Sequence, residues 1–280
     1  MVFMPMSALA RGPAREAGPH GPSVLGILQA RVSSSRLRGK VLKPILGRPM
    51  LLHQLDRVRR AKSLDALVVA TSTDASDDDI ERLCAAAGVA CFRGSLDDVL
   101  DRFYQAALEF SPQHIVRLTG DCPLIDPDVI DRVVDFYLDG AFDIAGTEPA
   151  SFPDGLDVEI LPFTILEEVW KQASLRSDRE HVTLFVHRQP ERFRVGSYRN
   201  TRDLSHLRWT VDEPQDFELV ARIYEALYVR KPAFTTDDIL DLLAKQPELT
   251  ELNRGIRRNE GLERSLENDR IYESLADRPR

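Results

Sequence analysis

The stretch Gln29 to Lys40 reads Q-A-R-V-S-S-S-R-L-R-G-K, which sets four cations, three serines and a glycine behind a short apolar run. Arg31, Arg36, Arg38 and Lys40 supply charge, while the serine hydroxyls and the loop's N–H groups supply donors; together they suit a polyphosphate. The glycine spacing and the Lys-Ser/Thr pair of a P-loop are absent. On charge alone the same residues suit a solvated basic loop equally well. Their place directly after the first predicted strand favours phosphate, because ligands in open α/β sheets sit beyond the carboxyl ends of strands.

Two aspartates are the candidate metal ligands. Asp121 follows a predicted strand that ends near Leu118, and Asp212 follows one that ends at Val211. Both are expected to project into one crevice, where magnesium carrying a nucleotide takes one or two protein carboxylates plus phosphate oxygens and water. Each also stands just before a proline-containing helix start, where an acid caps the helix and suits its dipole. Taken singly, Asp212 is as readable as a cap as it is as a ligand. Asp157 and Glu159, two residues apart, share one strand face that either lines a cleft or faces solvent. Asp77, Asp78 and Asp79 form the densest acidic run, but at a helix start they point in different directions and are set aside as a site.

The elements that must position these groups follow from periodicity. Short apolar runs at Val24–Leu28, Leu67–Thr71, Val89–Phe92 and His114–Leu118 predict buried strands. Between and after them, Pro49–Ala61, Asp77–Gly88, Asp97–Phe110 and Asp126–Leu138 read as helices, the second closed by its glycine. Strands alternating with helices predict an α/β domain with a mostly parallel sheet. Leu156, Val158 and Ile160 then alternate with Asp157 and Glu159, as in a half-buried antiparallel strand. Arg194–Tyr198 and Leu207–Val211 read as further strands, Phe163–Ala173 and Glu180–His187 as helices, and Pro214 opens a helix to about Tyr228. Residues 145–205 are therefore expected to form a smaller β-containing insertion lobe on a domain spanning 24–246, with the chain returning to the sheet at Leu207. Residues 1–23 read as a disordered leader, and 247–280 as a charged tail that lies as a surface helix or frays.

Composition narrows the function classes. A net charge of −8 over 280 residues argues against general binding to nucleic acid or to an anionic membrane, so an anionic substrate needs a local basic pocket. No apolar run is long enough to span a bilayer, and the first 23 residues lack the apolar core of a secretory signal. Cys84, Cys91 and Cys122 have no metal-ligand spacing and read as reduced thiols of a cytoplasmic protein.

Beyond chemistry, the basic loop resembles a family signature. Gln29-Ala30-Arg31, Ser34, Arg36-Leu37, Gly39-Lys40 and Val41-Leu42-Lys43-Pro44 are similar to the opening of the cytidylyltransferase family, which includes synthetases of CMP-linked ketosugar acids. The resemblance is nearest to the branch named for the spore coat polysaccharide biosynthesis protein F. Arg38 stands where that branch usually has proline. Five ordered stretches extend the resemblance: Phe92–Ser95 with Asp97–Arg102, Thr119–Asp126, Pro153–Glu159, Arg179–Thr183 and Leu207–Asp212.

The resemblance implies a nucleotidyltransferase sheet of Rossmann-like, GT-A-like type and transfer of CMP from CTP to a sugar or sugar acid, with Mg2+ as cofactor. It implies that Asp121 and Asp212 bind the metal and that Arg31, Arg36 and Lys40 cover the leaving pyrophosphate. Gln29, Ala30, Arg31, Ser34, Lys40, Arg93, Asp97, Asp98 and Thr119 would contact the nucleotide, although Asp97 equally suits the first turn of its helix. Asp157, Glu159, Arg179, Glu180 and His181 would serve the acceptor, the last three equally suiting a dimer contact or a structural role. A homodimer and a place in surface-glycan synthesis are implied as well. Two other readings stay open: a nucleotide-sugar-dependent glycosyltransferase and a non-catalytic nucleotide-binding protein. The first usually carries an Asp-x-Asp pair, where Asp121 is followed by Cys122 and Pro123; the second has no need of the basic loop together with both aspartates.

Overall fold

The computed structural model describes residues 21 and 23–276, so the expected leader over 1–23 lies almost wholly outside the described residues. From the first strand, β1 (Val24–Gln29), the chain enters the basic loop. It then makes a small ribbon of β2 (Pro44–Ile45) and β3 (Arg48–Pro49), followed by helix α1 (Met50–Val58). Next come β4 (Ala66–Ser72), α2 (Asp78–Ala87), β5 (Ala90–Gly94), α3 (Val99–Phe110), β6 (His114–Thr119) and α4 (Pro127–Asp139). β5, β4, β1 and β6 lie side by side and run parallel.

β1 is central and buried on both faces. Val24 and Leu28 enter one core and Leu25 and Ile27 the other, which is why its sequence is continuously apolar. Local signals set the helix ends: Asp98 caps α3 through the Asp101 N–H, Asp126 caps α4 through the Asp128 N–H, and Gly88 ends α2 at φ 61°.

The middle of the chain supplies β7 (Ile144–Thr147), β8 (Glu159–Pro162), α5 (Phe163–Gln172), α6 (Arg176–His181), α7 (Leu184–His187) and β9 (Val195–Tyr198). These strands extend the same sheet to seven in the order β5-β4-β1-β6-β8-β7-β9. β8 runs antiparallel to both neighbours, while β7 and β9 pair in parallel. The segment expected as an insertion lobe thus shares the sheet of the first half. The chain closes with α8 (Pro214–Leu227), α9 (Thr236–Lys245), α10 (Glu248–Glu251) and α11 (Glu260–Ala276). No helix among the described residues is long and apolar enough to cross a membrane.

Three expectations need correction. Leu207–Val211 is a buried extended segment and not a sheet strand; it makes an isolated bridge between Arg208 and Asp154. The helix expected over Glu180–His187 is broken at buried Val182, which adopts φ 55°. That is a costly conformation for a β-branched residue, about 1–3 kcal/mol. Arg179, Glu180 and His181 consequently end a helix and do not begin one. Third, the alternating stretch around Glu159 is strand only from that residue onward, leaving Asp157 in the irregular segment before it.

Candidate active site

The basic loop is held by a residue of the acidic run. Asp77 is fully buried; one of its oxygens accepts the Val32 N–H at 2.7 Å and the other accepts the Ser72 N–H and hydroxyl. Its carboxylate therefore ties the loop to the carboxyl end of β4. The loop curls back on itself, with the N–H groups of Ser34 and Gly39 both donating to the Val32 carbonyl at 2.8 and 2.9 Å. Gly39 sits at φ 70°, a left-handed turn that suits glycine. The reversal aims Lys40 inward, where it is 7% exposed.

Asp121 and Asp212 meet the end of that lysine. The Gly120 N–H donates to the Gln29 carbonyl at 2.7 Å, and a Cβ on Gly120 would stand 2.8 Å from the same oxygen. The turn carrying Asp121 thus packs directly on the start of the basic loop. The extended segment that carries Asp212 is fastened through its backbone: Trp209 and Thr210 donate to the Asp154 carbonyl at 2.6 and 2.8 Å, and Val211 donates to the Asp121 carbonyl at 2.8 Å. Lys40 Nζ then lies 3.2 Å from Asp121 Oδ2, 2.8 Å from Asp212 Oδ1 and 2.7 Å from the Val211 carbonyl. The other Asp212 oxygen faces Arg36 at 2.9 Å and Arg208 at 3.2 Å. Arg208 in turn binds Asp154 at 2.6 Å and fully buried Asp216 at 2.9 Å.

Charge coupling follows the geometry. Burial works against the Lys40 ammonium, yet the two carboxylates outweigh it and raise its pKa. Burial would likewise raise the Asp121 carboxyl, but Lys40 and the Thr119 hydroxyl bring it down to about 2. Asp154 goes the other way: burial and neighbouring Asp157 push it up to about 6 despite Arg258 and Arg208.

These groups sit in a cleft of about 1070 Å³ at the carboxyl ends of β1 and β6. On its far side Glu159 accepts from Arg117 at 2.7 Å, from His187 at 2.8 Å and from the Thr183 hydroxyl at 3.0 Å. Burial opposes its charge, but His187 and Arg117 hold it down to about 2. The break at Val182 separates α6 from α7 just before Thr183.

The chain's likeness to known proteins agrees with this arrangement. The family model described as cytidylyltransferase matches residues 25–248. The chain belongs to the cytidylyltransferase family. It is 37% identical to an uncharacterized protein of Methanocaldococcus jannaschii, over 84% of this chain and 96% of that protein. It is 33% identical to the spore coat polysaccharide biosynthesis protein SpsF of Bacillus subtilis, over 80% of this chain and 95% of that one. A solved cytidylyltransferase from Leptospira borgpetersenii serovar Hardjo-bovis superposes with a TM-score of 0.79 at 32% identity, covering 84% of this chain and 99% of its own. The protein is thus an enzyme of cytidylyltransferase type, and the glycosyltransferase and non-catalytic readings are set aside.

Of the candidate residues in this cytidylyltransferase, Gln29, Ala30, Arg31, Ser34, Arg36, Lys40, Thr119, Asp121, Asp157, Glu159, Glu180, His181 and Asp212 all line the cleft. Arg93, Asp97, Asp98 and Arg179 do not. Arg93 pairs with Asp78 at 2.7 Å and Glu81 at 2.8 Å on α2. Asp98 caps α3 and binds Arg179 at 2.6 Å, and Arg179 also donates to the carbonyls of Trp170 and Ala173. Asp97 is exposed. Lys40, expected over the leaving group, reaches the two carboxylates expected to hold metal. Arg38 is exposed and outside the cleft lining.

Several cleft groups were not singled out from sequence as site residues: Asp154, Arg208, His187 and the start of α11. Asp154 and Arg208 belong to family-like stretches, so their motifs were visible but their roles were not. The α11 residues lie in the tail, where no motif pointed to them.

Proposed function

We propose that the enzyme transfers CMP from CTP to a hydroxyl of a sugar acid, in the cytoplasm and for a surface glycan, with magnesium held at Asp121 and Asp212. The observation that carries this reading is the convergence of both carboxylates on one cation, Lys40 Nζ, at 3.2 and 2.8 Å beside a basic loop. The donor chemistry fits a hard divalent ion, which takes carboxylate oxygens together with phosphate oxygens and water; the ammonium marks where such a positive charge is stabilised. Asp121 and Asp212, brought together on Lys40 Nζ, would be the ion's protein ligands. When bound, the ion would polarise the α-phosphate and ease ionisation of the attacking hydroxyl.

In the transfer, an acceptor oxygen forms a bond to the α-phosphorus, the α–β phosphoanhydride bond breaks, and pyrophosphate carries away the electron pair. The hydroxyl proton passes to water. The chain's own part is to align the partners and neutralise charge. Arg31 enters no ion pair among the described residues and lines the cleft beside Ser34, so it is available to the leaving pyrophosphate. Arg36 joins it when phosphate competes with Asp212 for its guanidinium. On the acceptor side Arg117 and His187 keep Glu159 ionised, and Glu159 fixes both of them at the cleft wall. His181 and Glu180 stand beside them, and residues 145–205 are assigned to a contact between two copies of the chain.

Thermal shift with CTP, UTP, GTP, ATP and dTTP, each with magnesium or EDTA, tests the reading. Stabilisation by CTP above the others, lost in EDTA, is expected. A preference for a nucleotide sugar over every triphosphate, or no shift at all, overturns it. Sedimentation of the same sample reads the dimer, and a monomer at working concentration removes that part.

A further inference from the structure

One wall of the cleft is built by the first turns of α11, which lies beyond the family match ending at residue 248 and meets the basic loop where Glu260 faces Arg36 at 3.7 Å. The connection to it is anchored twice. Buried Asn253 donates to the Arg208 carbonyl and to Asp216 Oδ1, both at 2.9 Å. Arg258 donates to the carbonyls of Pro149 and Phe152 and binds Asp157 Oδ1 at 2.6 Å. α11 is then clamped on α6, with Ser265 between His181 Nε2 at 3.0 Å and Glu180 Oε2 at 2.9 Å. Buried Asp269 accepts the Ser177 N–H at 3.2 Å. From Asn253 to Asp269 the charged segment is therefore packed against the site.

The state of the cleft's cations gives this wall a role. Lys40, Arg36 and Arg208 are committed to carboxylates, Arg117 to Glu159, and Arg102 to the Ser95 carbonyl. Arg176, at the start of α6, lines the cleft and enters no ion pair among the described residues. Arg264 lines the cleft from α11; its ion pair is a 3.6 Å contact to Glu260 one turn back, with Arg264 57% exposed, a weak exposed contact. Of the acids around them, Glu180 is engaged with Ser265 and Asp178 and Asp269 with Arg188, while one Glu260 oxygen is shared between Arg264 at 3.6 Å and Arg36 at 3.7 Å.

We infer that α11 is an acceptor-specificity element of this enzyme, and that Arg264 with Arg176 recognises an acidic group on the acceptor. The inference rests on the nucleotidyl-transfer reading and adds to it the residues that select the acceptor. A guanidinium facing a carboxylate makes a charge-assisted hydrogen bond that a neutral sugar lacks. The nucleotide side is left to Arg31 and the basic loop, so the two substrates are read by different elements.

The test uses the full chain and compares wild type with Arg264→Gln, Arg176→Gln and Arg264→Lys. Pyrophosphate release is followed at saturating CTP with 3-deoxy-manno-octulosonate, N-acetylneuraminate and gluconate, and with mannose as a neutral control. For an acid that wild type turns over, each Gln variant should raise its KM at least tenfold, with the KM for CTP within about twofold of wild type. Arg264→Lys should recover most of the loss. An unchanged KM for the acid, an equal rise in the KM for CTP, or a preference for mannose overturns the inference. A wild type that is stabilised by CTP but turns over none of the acids also overturns it, while leaving the nucleotide reading intact. A wild type with no CTP response defeats the nucleotide reading, and this inference with it.

Discussion

Replacing Lys40 with methionine removes the cation shared by Asp121 and Asp212 and keeps most of the side chain's bulk. At the observed 2.8 and 3.2 Å, each attraction is about 5–6 kcal/mol for an effective dielectric near 20. The cost of burying the ammonium cancels much of that. Removing one partner of a buried pair costs about 3–5 kcal/mol, but the two carboxylates are 28% and 18% exposed and Asp212 keeps Arg36 and Arg208. A loss of about 2–3 kcal/mol in urea unfolding is expected without nucleotide. Magnesium should then return stability to the variant, because two facing carboxylates no longer have a resident cation. At roughly one hundred times its dissociation constant the ion contributes about 2.7 kcal/mol. Wild type, with Lys40 in place, should gain much less at the same concentration. Equal gains in the two proteins would mean that the metal binds elsewhere, and an undiminished stability in the variant would mean that the ion pair contributes nothing.

Asp121→Asn or Asp212→Asn should lower pyrophosphate release at least about 100-fold, the scale of losing one transition-state charge contact, with the far-ultraviolet circular dichroism unchanged; near-native turnover in either would remove it from the metal site. Gly155→Ala should cost about 3 kcal/mol or more by urea unfolding, since Gly155 has φ 112° and a Cβ there would meet the Thr210 nitrogen at 2.4 Å; a loss below about 1 kcal/mol would show that the segment carrying Asp212 can shift. The bond to Glu159 outweighs burial and raises His187 above its ordinary 6.5. Its contribution to stability is thus complete below pH 6.5 and fades as pH rises through the folded-state value. An NMR titration of the His187 ring in wild type and Glu159→Gln checks this, and the same midpoint in both would refute the pairing.

Local signals carried most of the fold. The run Val24–Leu28 could be read as a buried strand because a strand covered on both faces has no polar side to show. Gly88 and the caps Asp98 and Asp126 act within a few residues of themselves, so the ends of α2, α3 and α4 followed from neighbours alone. Leu207–Val211 failed for the opposite reason. Its composition suits a strand, but the N–H groups of Trp209, Thr210 and Val211 go to the carbonyls of Asp154 and Asp121, a choice made by segments far away in sequence. The break at Val182 was equally illegible, since tertiary contacts at Glu159 override a helical pattern there.

By itself the sequence determined the chemistry available: a basic loop after the first strand, two aspartates at later turns, and a family whose motifs recur in order. It determined these because residue type and spacing along one element are local properties. Only the tertiary structure decided which charges neutralise one another. Lys40 and Asp212 are 172 positions apart, and Ser265 of the tail meets His181 across 84. Asp77 became the anchor of the loop in the same way, across 45 residues to Val32. Coulomb and hydrogen-bond energies depend on distance in space, and that distance exists only once the sheet and its covering helices have packed.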